Sequence, residues 1–439
     1  MGGGLLQLVA YGAQDAYLSG NPQITFWKSL FKRHTNFAME PFRINFSGQP
    51  SWGTKQSAIV GRHADLLFST YVEVQLPTNG TTGQPALWNH GSYSGGNGAL
   101  GYNLIEYVEL DIGGQIVDKQ YSEFMYLWSA LTKETTARSK VLGMLNSSLD
   151  QSTLKFPANT GCVGGNSRPS MPNTLYIPLM FFFTRNAGAA LPLISLQYHE
   201  VKINVQWNDS KVISGDFRTT ALAALPQPTQ AALYIDYIYL DTEERRRMAQ
   251  GSHEYLIEQV QFNEDVGVSA PNNRVDLTFN HPVKELVWVV QPNAFTNCKT
   301  SAAVVSAVGR AANRLEPFTY DYSGVRGPIY EQWLQINGQD RLDRRYGDYY
   351  NKVQPYQHHT GLSPGSGVYC YSFALKPEEH QPSGTCNFSR IDTATIVMNF
   401  DGTALVDQDA DRTWDVRVYA VNYNILRVMS GMAGLAYSN

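Results

Sequence analysis

Residue types able to do chemistry are thinly spread through this chain. His358-His359 is its one adjacent histidine pair. A metal site on a small β-barrel would use His-x-His with a carboxylate close behind, whereas Thr360, Gly361 and Leu362 follow here. Asp407, Asp409, Asp411 and Asp415 keep the spacing of a calcium loop, yet Arg412 stands where that loop needs glycine and Val418 where it needs a bidentate glutamate. A hairpin tip rich in turn-forming aspartate accounts for the run. Cys162, Cys298, Cys370 and Cys386 show neither C-x-x-C spacing nor a companion histidine in sequence, so they read as buried thiols rather than zinc ligands or bridges. Asn45, Asn79, Asn146, Asn208 and Asn387 each open an N-x-S/T triplet. No G-x-S-x-G, phosphate loop or Cys–His arrangement is present. The expectation is a protein with no catalytic, cofactor-binding or metal site.

Composition points the same way. Only 16% of the 439 residues are charged, against about 25% in ordinary globular proteins. Much of the polar surface must be Asn, Gln, Ser, Thr and Gly, which suits large neutral contacts. A formal charge of −4 supplies no basic field, so direct nucleic-acid binding is not expected. Residues 1–11 lack the basic start and long apolar centre of a signal peptide, and no apolar run approaches about eighteen residues. Synthesis in a reducing cytosol follows as the expectation.

The elements that hold these residues come in two copies. Residues 103–126, NLIEYVELDIGGQIVDKQYSEFMY, return as residues 332–350, QWLQINGQDRLDRRYGDYY. Aligned on Ile112-Gly113-Gly114-Gln115 and Ile336-Asn337-Gly338-Gln339, both run as an alternating strand, a two-residue turn, a polar return and an aromatic pair. Gly113, Gly114, Asn337 and Gly338 supply the positive φ that a tight hairpin requires, and valine at Gly114 or Gly338 is expected to block the turn. Other anchors keep their order: residues 72–77 match 287–292, 176–207 match 369–400, and 233–240 match 416–421. Short strands separated by Gly/Asn/Pro-rich turns fill both halves, with no alternation of strand and helix. That pattern predicts an all-β protein of two antiparallel sandwiches, copied in tandem.

Residues 1–25 combine glycines with Leu5, Leu6, Leu8, Val9 and Tyr11 and read as an arm that packs on something else. Residues 26–37 place Lys28, Lys32, Arg33 and His34 beside Trp27, Leu30 and Phe31, which predicts an amphipathic turn or two of helix with a basic face. Residues 120–145 are the best internal helix. Residues 241–250, DTEERRRMAQ, predict a linker helix capped by Asp241 with Glu244 closing the box. Residues 79–101 and 292–330 predict long loops.

Several long blocks resemble one known family. They are VAYGAQDAYLSGNPQITFWK near the start, IPLMFFFTRNAGAALPLISLQYHEVKI at 177–203, DYIYLDTEERRRMAQGSHEYLIEQVQF at 236–262, INGQDRLDRRYGDYYNKVQPYQ at 336–357, YSFALKPEEHQPSGTCNFSRIDTATI at 371–396 and NYNILRVMSGMAGLAYSN at the end. These are similar to the major capsid proteins of nucleocytoplasmic large DNA viruses, those of algal viruses above all. The resemblance implies two tandem eight-stranded antiparallel jelly rolls, a double jelly roll with short helices in loops and linker. It divides the chain into an arm at 1–25, a first roll at 26–241, a linker helix at 242–253 and a second roll at 254–439. It further implies a homotrimer, a pseudo-hexagonal capsomer, that tiles an icosahedral virion shell with neighbouring capsomers over an inner viral membrane, assembled in the host cytoplasm. Trp27, Lys28, Phe31, Lys32 and Arg33 would then lie on the inner face, toward that membrane or minor capsid proteins. The family carries glycans on surface loops, and the resemblance allows surface glycans here. Two other readings stay open on the residues alone. One is a carbohydrate-binding jelly-roll protein, from Trp88, Tyr93, Tyr320, Tyr322 and Tyr330; the other is a cupin-like enzyme centred on His358-His359.

Overall fold

The computed structural model describes residues 4–27, 29–76, 99–145, 173–214, 227–296, 317–318, 320, 327–401 and 413–437. Contacts group the chain into two compact units, Met1–Phe37 and Ala38–Asn439.

The first unit holds the short helices Gly4–Gln7 and Ala16–Ser19. The amphipathic helix expected at 26–37 does not form: the described residues of this stretch have no helical turn before the strand that starts at Phe37. So short a helix needs a packing surface to offset its nucleation cost, and Trp27 and Phe31 are each 90% exposed within the chain.

In the second unit the eight principal strands of the first half are β1 (Phe37–Asn45), β2 (Lys55–Val60), β3 (Leu66–Leu76), β4 (Ile105–Ile112), β5 (Gln115–Tyr121), β6 (Asn173–Pro178), β7 (Val201–Trp207) and β8 (Gln230–Leu240). They form sheets ordered β1-β8-β3-β6 and β2-β7-β4-β5. The second half supplies β9 (His253–Val268), β10 (Asn272–Asp276), β11 (Pro282–Pro292), β12 (Ile329–Ile336), β13 (Gln339–Asp340), β14 (Val368–Ser372), β15 (Ala394–Phe400) and β16 (Trp414–Met429). Their sheets run β9-β16-β11-β14 and β10-β15-β12-β13. Adding eight to every label of the first half reproduces the second, so one antiparallel jelly roll has been used twice. Shorter strands attach beside this frame at Leu191–Pro192, Arg345–Tyr346, Cys386–Asn387 and Met432–Leu435.

Alternation explains most of the strands. On β3, Val72, Val74 and Leu76 are buried while Tyr71, Glu73 and Gln75 between them are half-buried. β11 and β16 break that rule, because nearly every residue of VKELVWVVQP and WDVRVYAVNYN is buried. Their two faces enter different cores. Trp288, Val290, Val416 and Val418 pack inside the second roll. Val287, Val289, Tyr419 and Val421 join the core of the first. A strand covered on both faces reads as a continuous apolar run, and here the second cover is the other roll.

Both duplicated hairpins turn through left-handed backbone, Gly113 and Gly114 at φ 63° and 88° and Asn337 and Gly338 at φ 52° and 72°. Positive φ at both central residues matches the right-handed twist of the flanking strands. Among the described residues, a Cβ at Gly114 or Gly338 would touch nothing within 4 Å, whereas one at Gly113 would meet the His199 ring at 2.6 Å. Gly114→Val and Gly338→Val are therefore expected to cost backbone strain alone, about 1–2 kcal/mol each, with folded protein retained. Gly113→Val should cost more, and equal denaturant midpoints for all three would contradict this.

Each copy passes from strand to helix at its aligned tyrosine. Tyr121 ends β5 and the helix Ser122–Thr132 follows; Tyr346 ends its short strand, and the helical run containing Tyr349–Val353 and Gln354–His358 comes next. The single helix expected at 120–145 is divided into Ser122–Thr132 and Thr135–Leu145. Lys133 is extended, and Thr132 Oγ1 donates to Trp128 O at 2.7 Å, satisfying a carbonyl of the last turn. β6 stops at Pro178, with Phe182–Arg185 helical and all of Phe181, Phe182 and Phe183 buried. The linker helix Thr242–Gln250 is capped by Asp241 through Thr242 N at 2.7 Å, not through the third residue of the expected box.

Candidate functional site: the seam between the rolls

Ser122–Thr132 is apolar on every side from Phe124 to Leu131, apart from Ser129, and all of that stretch is buried. A helix buried all round must lie between two bodies, and this one lies between the rolls. Tyr126 stacks on Phe318 at 4.7 Å, and Phe124 packs at 5.6 Å from the ring of Tyr419. We call it the seam helix.

Its first turn carries Glu123, which accepts from Arg417 Nε and Nη2 at 2.6 and 2.8 Å and from the Tyr419 hydroxyl at 2.6 Å. The Tyr320 hydroxyl approaches the same carboxylate at 3.4 Å, and Arg417 also donates to Gln291 Oε1 at 2.5 Å. Burial by itself lowers the Arg417 pKa, but Glu123 beside it outweighs that and holds it above the usual arginine value. Burial, then Glu123, raise the Tyr419 hydroxyl well above the usual phenol range.

In the middle of the helix, Trp128 offers its ring to Arg185, 4.7 Å from the centroid, and to Lys284 at 5.7 Å. Both cations converge on Glu258, Lys284 Nζ at 2.7 Å and Arg185 Nη1 at 3.0 Å. Arg185 belongs to the first half, and Glu258 and Lys284 to β9 and β11 of the second. Burial pulls the Lys284 pKa down and Glu258 opposes that shift.

At its C-terminal end the helix meets the turn after Gln354–His358. Gly361 N donates to Leu131 O at 2.7 Å and Thr360 Oγ1 to Thr132 O at 2.8 Å, so two orphan carbonyls of the helix end are satisfied across the seam. A Cβ on Gly361 would lie 2.1 Å from Ala130 O, which is why glycine stands there. His359 supports this turn: Nε2 is 2.5 Å from Glu285 Oε1 and Nδ1 is 3.1 Å from Glu378 Oε1. Burial works against a charged ring, but Glu285 prevails and pushes the pKa up to about 12. Glu378 also accepts from Thr360 N and Oγ1, both at 2.9 Å.

Beyond the helix, Asp118 on β5 accepts from Val260 N of β9 at 3.2 Å and from Gln120 Nε2 at 2.7 Å. Burial raises this carboxyl to about 6, against the pull of the Val260 and Gln120 donors and of Arg185. A folded-state value above the unfolded 3.8 means that the native protein keeps a proton the unfolded chain has lost. Stability from this group is therefore present below pH 4 and falls as pH rises toward 6. Relative to wild type, Asp118→Asn should gain on the order of 2–3 kcal/mol between pH 4 and pH 6.5. A pH-independent difference in unfolding free energy would contradict this.

The residues singled out from sequence fall in several places. The hairpin turns lie at sheet ends. Trp27, Phe31, Lys32 and Arg33 are exposed in the first unit, and Lys28 lies outside the described residues. Asp407, Asp409, Asp411, Cys162, Cys298, Asn79 and Asn146 also lie outside them, as do Trp88, Tyr93 and Tyr322. Asp415 is filled by Asn293, Thr296 and Gly267 donors. Tyr320, expected as a surface-loop aromatic, is buried against the seam helix. His358 bonds Leu375 O from a half-buried position, while the His359 side chain is buried. Cys370 does have a companion histidine, His359, which sequence spacing hid because a loop separates them. Charges inside apolar runs were the readable signal for the rest: Lys284-Glu285 in VKELVWVV and Arg417 in WDVRVYAV.

Two jelly rolls of one strand order, joined along an internal seam, make a double jelly roll. A family model described as "Major capsid protein N-terminus" matches residues 25–241, and one described as "Large eukaryotic DNA virus major capsid protein" matches residues 244–434. The chain is 43% identical to the major capsid protein of Pyramimonas orientalis virus and 41% identical to that of Paramecium bursaria Chlorella virus 1, with the full length of both chains covered in each case. A quasi-atomic model of the PBCV-1 virus capsid matches with a TM-score of 0.74 at 35% identity, over 94% of this chain and all of that one. The Faustovirus major capsid protein shares the fold, with a TM-score of 0.67 over 95% of this chain and 94% of its own. The chain belongs to the major capsid proteins of large eukaryotic DNA viruses, and its role is structural, in the virion capsid.

Proposed function

We propose that three copies of this chain associate as a pseudo-hexagonal capsomer that tiles an icosahedral shell over an inner membrane. The observation that carries this is the identical strand order of the two rolls, locked together through the seam helix. A trimer has only three-fold symmetry, yet two like rolls per chain place six similar bodies around its axis, so identical tiles pack hexagonally. Low charge favours edges repeated across such a lattice, because contacts there bury few unpaired ions. The working division is an arm at 1–25, rolls at 26–241 and 254–439, and a linker at 242–253. In this reading the chain performs no catalysis. The exposed apolar residues Leu8, Val9, Tyr17 and Leu18 of its arm and Phe26, Trp27 and Phe31 just after it are covered in the virion by minor capsid proteins or the inner membrane, and assembly takes place in the host cytoplasm. Electron microscopy of the purified protein tests the arrangement: particles with six-lobed outlines are expected, and isolated two-lobed particles at every concentration would refute it.

A further inference from the structure

We propose that Glu285, His359 and Cys370 form a zinc site that staples the 358–361 turn to β11 and β14 and so braces the end of the seam helix. One ligand atom from each lies within 4.8 Å of the other two. They come from three separate elements: β11, the turn after Gln354–His358, and β14. Carboxylate, imidazole and thiolate are the donor set that tetrahedral zinc accepts, and the thiolate argues against magnesium or calcium.

Two observations point to a ligand rather than to a closed ion pair. The side chains of Glu285 and His359 are fully buried, yet Glu285 Oε2 has no hydrogen-bond partner among the described residues. A buried carboxylate oxygen left without a donor is costly, and coordination would satisfy it. In addition, Glu378 Oε1 lies 3.1 Å from His359 Nδ1 and is itself fixed by Thr360. A carboxylate on the far nitrogen of a histidine is the outer support that metal-bound imidazoles use, fixing the tautomer with Nε2 free for the metal.

The adjustment needed is small. Bonds of about 2.0–2.3 Å at tetrahedral angles place ligand atoms about 3.3–3.7 Å apart. Glu285 and His359 Nε2, now at 2.5 Å, would open by about 1 Å, and Cys370 Sγ would close in. It already interacts with the His359 side chain, and its contact with the Tyr350 carbonyl at 3.8 Å is weak and easily given up. Zinc entering in exchange for one proton from His359 and one from Cys370 leaves the charge of the buried cluster unchanged, so it adds no desolvated charge.

The test uses the purified full-length chain stripped with a chelator, with Zn2+ alone or Co2+ alone as the probe. One equivalent of zinc per chain is expected to survive dialysis and raise the melting temperature. Co2+ should give a thiolate-to-cobalt charge-transfer band in the near ultraviolet. Cys370→Ser, nearly isosteric and without effect on the His359–Glu285 contact, should abolish that band and the zinc-dependent melting shift. Glu378→Gln should keep the band while lowering zinc affinity about 10–100-fold. Wild-type protein that retains no zinc and develops no band overturns the proposal, and leaves His359 as a protonated bridge between two carboxylates. Binding that is unaltered in both Cys370→Ser and His359→Gln also overturns it, by placing the metal elsewhere. Because the deciding measurement is on the wild-type chain, a variant that fails to fold does not protect the idea.

Discussion

Replacing Arg417 by methionine is expected to destabilise the folded chain by about 3–5 kcal/mol, the cost of stranding a buried charge. Arg417 reaches from β16 to Glu123 on the seam helix with two short bonds. Methionine fills much of the same volume and removes the guanidinium, so the apolar packing survives. Among the described residues, Glu123 then keeps the Tyr419 and Tyr320 hydroxyls but no cation, and Gln291 Oε1 loses the Arg417 guanidinium. Most of the penalty comes from that uncompensated carboxylate, so Glu123→Gln combined with Arg417→Met should recover a large part of the loss. Urea unfolding of the single and double variants checks this. A loss below about 1 kcal/mol, the range of exposed ion pairs, would show that the pair does not hold the rolls together.

Gly361→Ala is expected to cost about 3 kcal/mol from one added methyl group, at the upper end of ordinary overpacking. The new Cβ would stand 2.1 Å from Ala130 O and 2.6 Å from Leu131 O, both backbone atoms that no rotamer can move. Relief requires the turn to leave the helix end, and with it the Gly361 N to Leu131 O and Thr360 Oγ1 to Thr132 O bonds. Gly143→Ala is the matched control. That glycine sits in the helix Thr135–Leu145 with no described residue within 4 Å of its would-be Cβ, so alanine there should be neutral or stabilising by up to about 1 kcal/mol. Equal effects from the two substitutions would remove the close approach at the seam from the account.

The hairpins explain why so much of the fold was legible. Ile112-Gly113-Gly114-Gln115 and Ile336-Asn337-Gly338-Gln339 announce a turn by local rules alone, and period-two alternation on β3 or β7 announces a half-buried strand. The seam was harder to read because its causes are not local. Residues 120–145 look like one helix until Lys133 is placed, and VKELVWVVQP looks like a core strand with misplaced charges until Arg185 arrives from the other half to share Glu258 with Lys284. His359 and Cys370 stand eleven positions apart with a loop between them, so no spacing rule links them. The helix expected at 26–37 failed for the opposite reason. Its amphipathic pattern is real, but a pattern without a partner surface does not fold on its own.

The trimer is the claim on which the shell rests, and the native mass of the purified chain tests it most directly. Light scattering or native mass spectrometry should give about 147 kDa, three times the 49.0 kDa of one chain. A well-folded monomer that persists at every concentration would contradict the account.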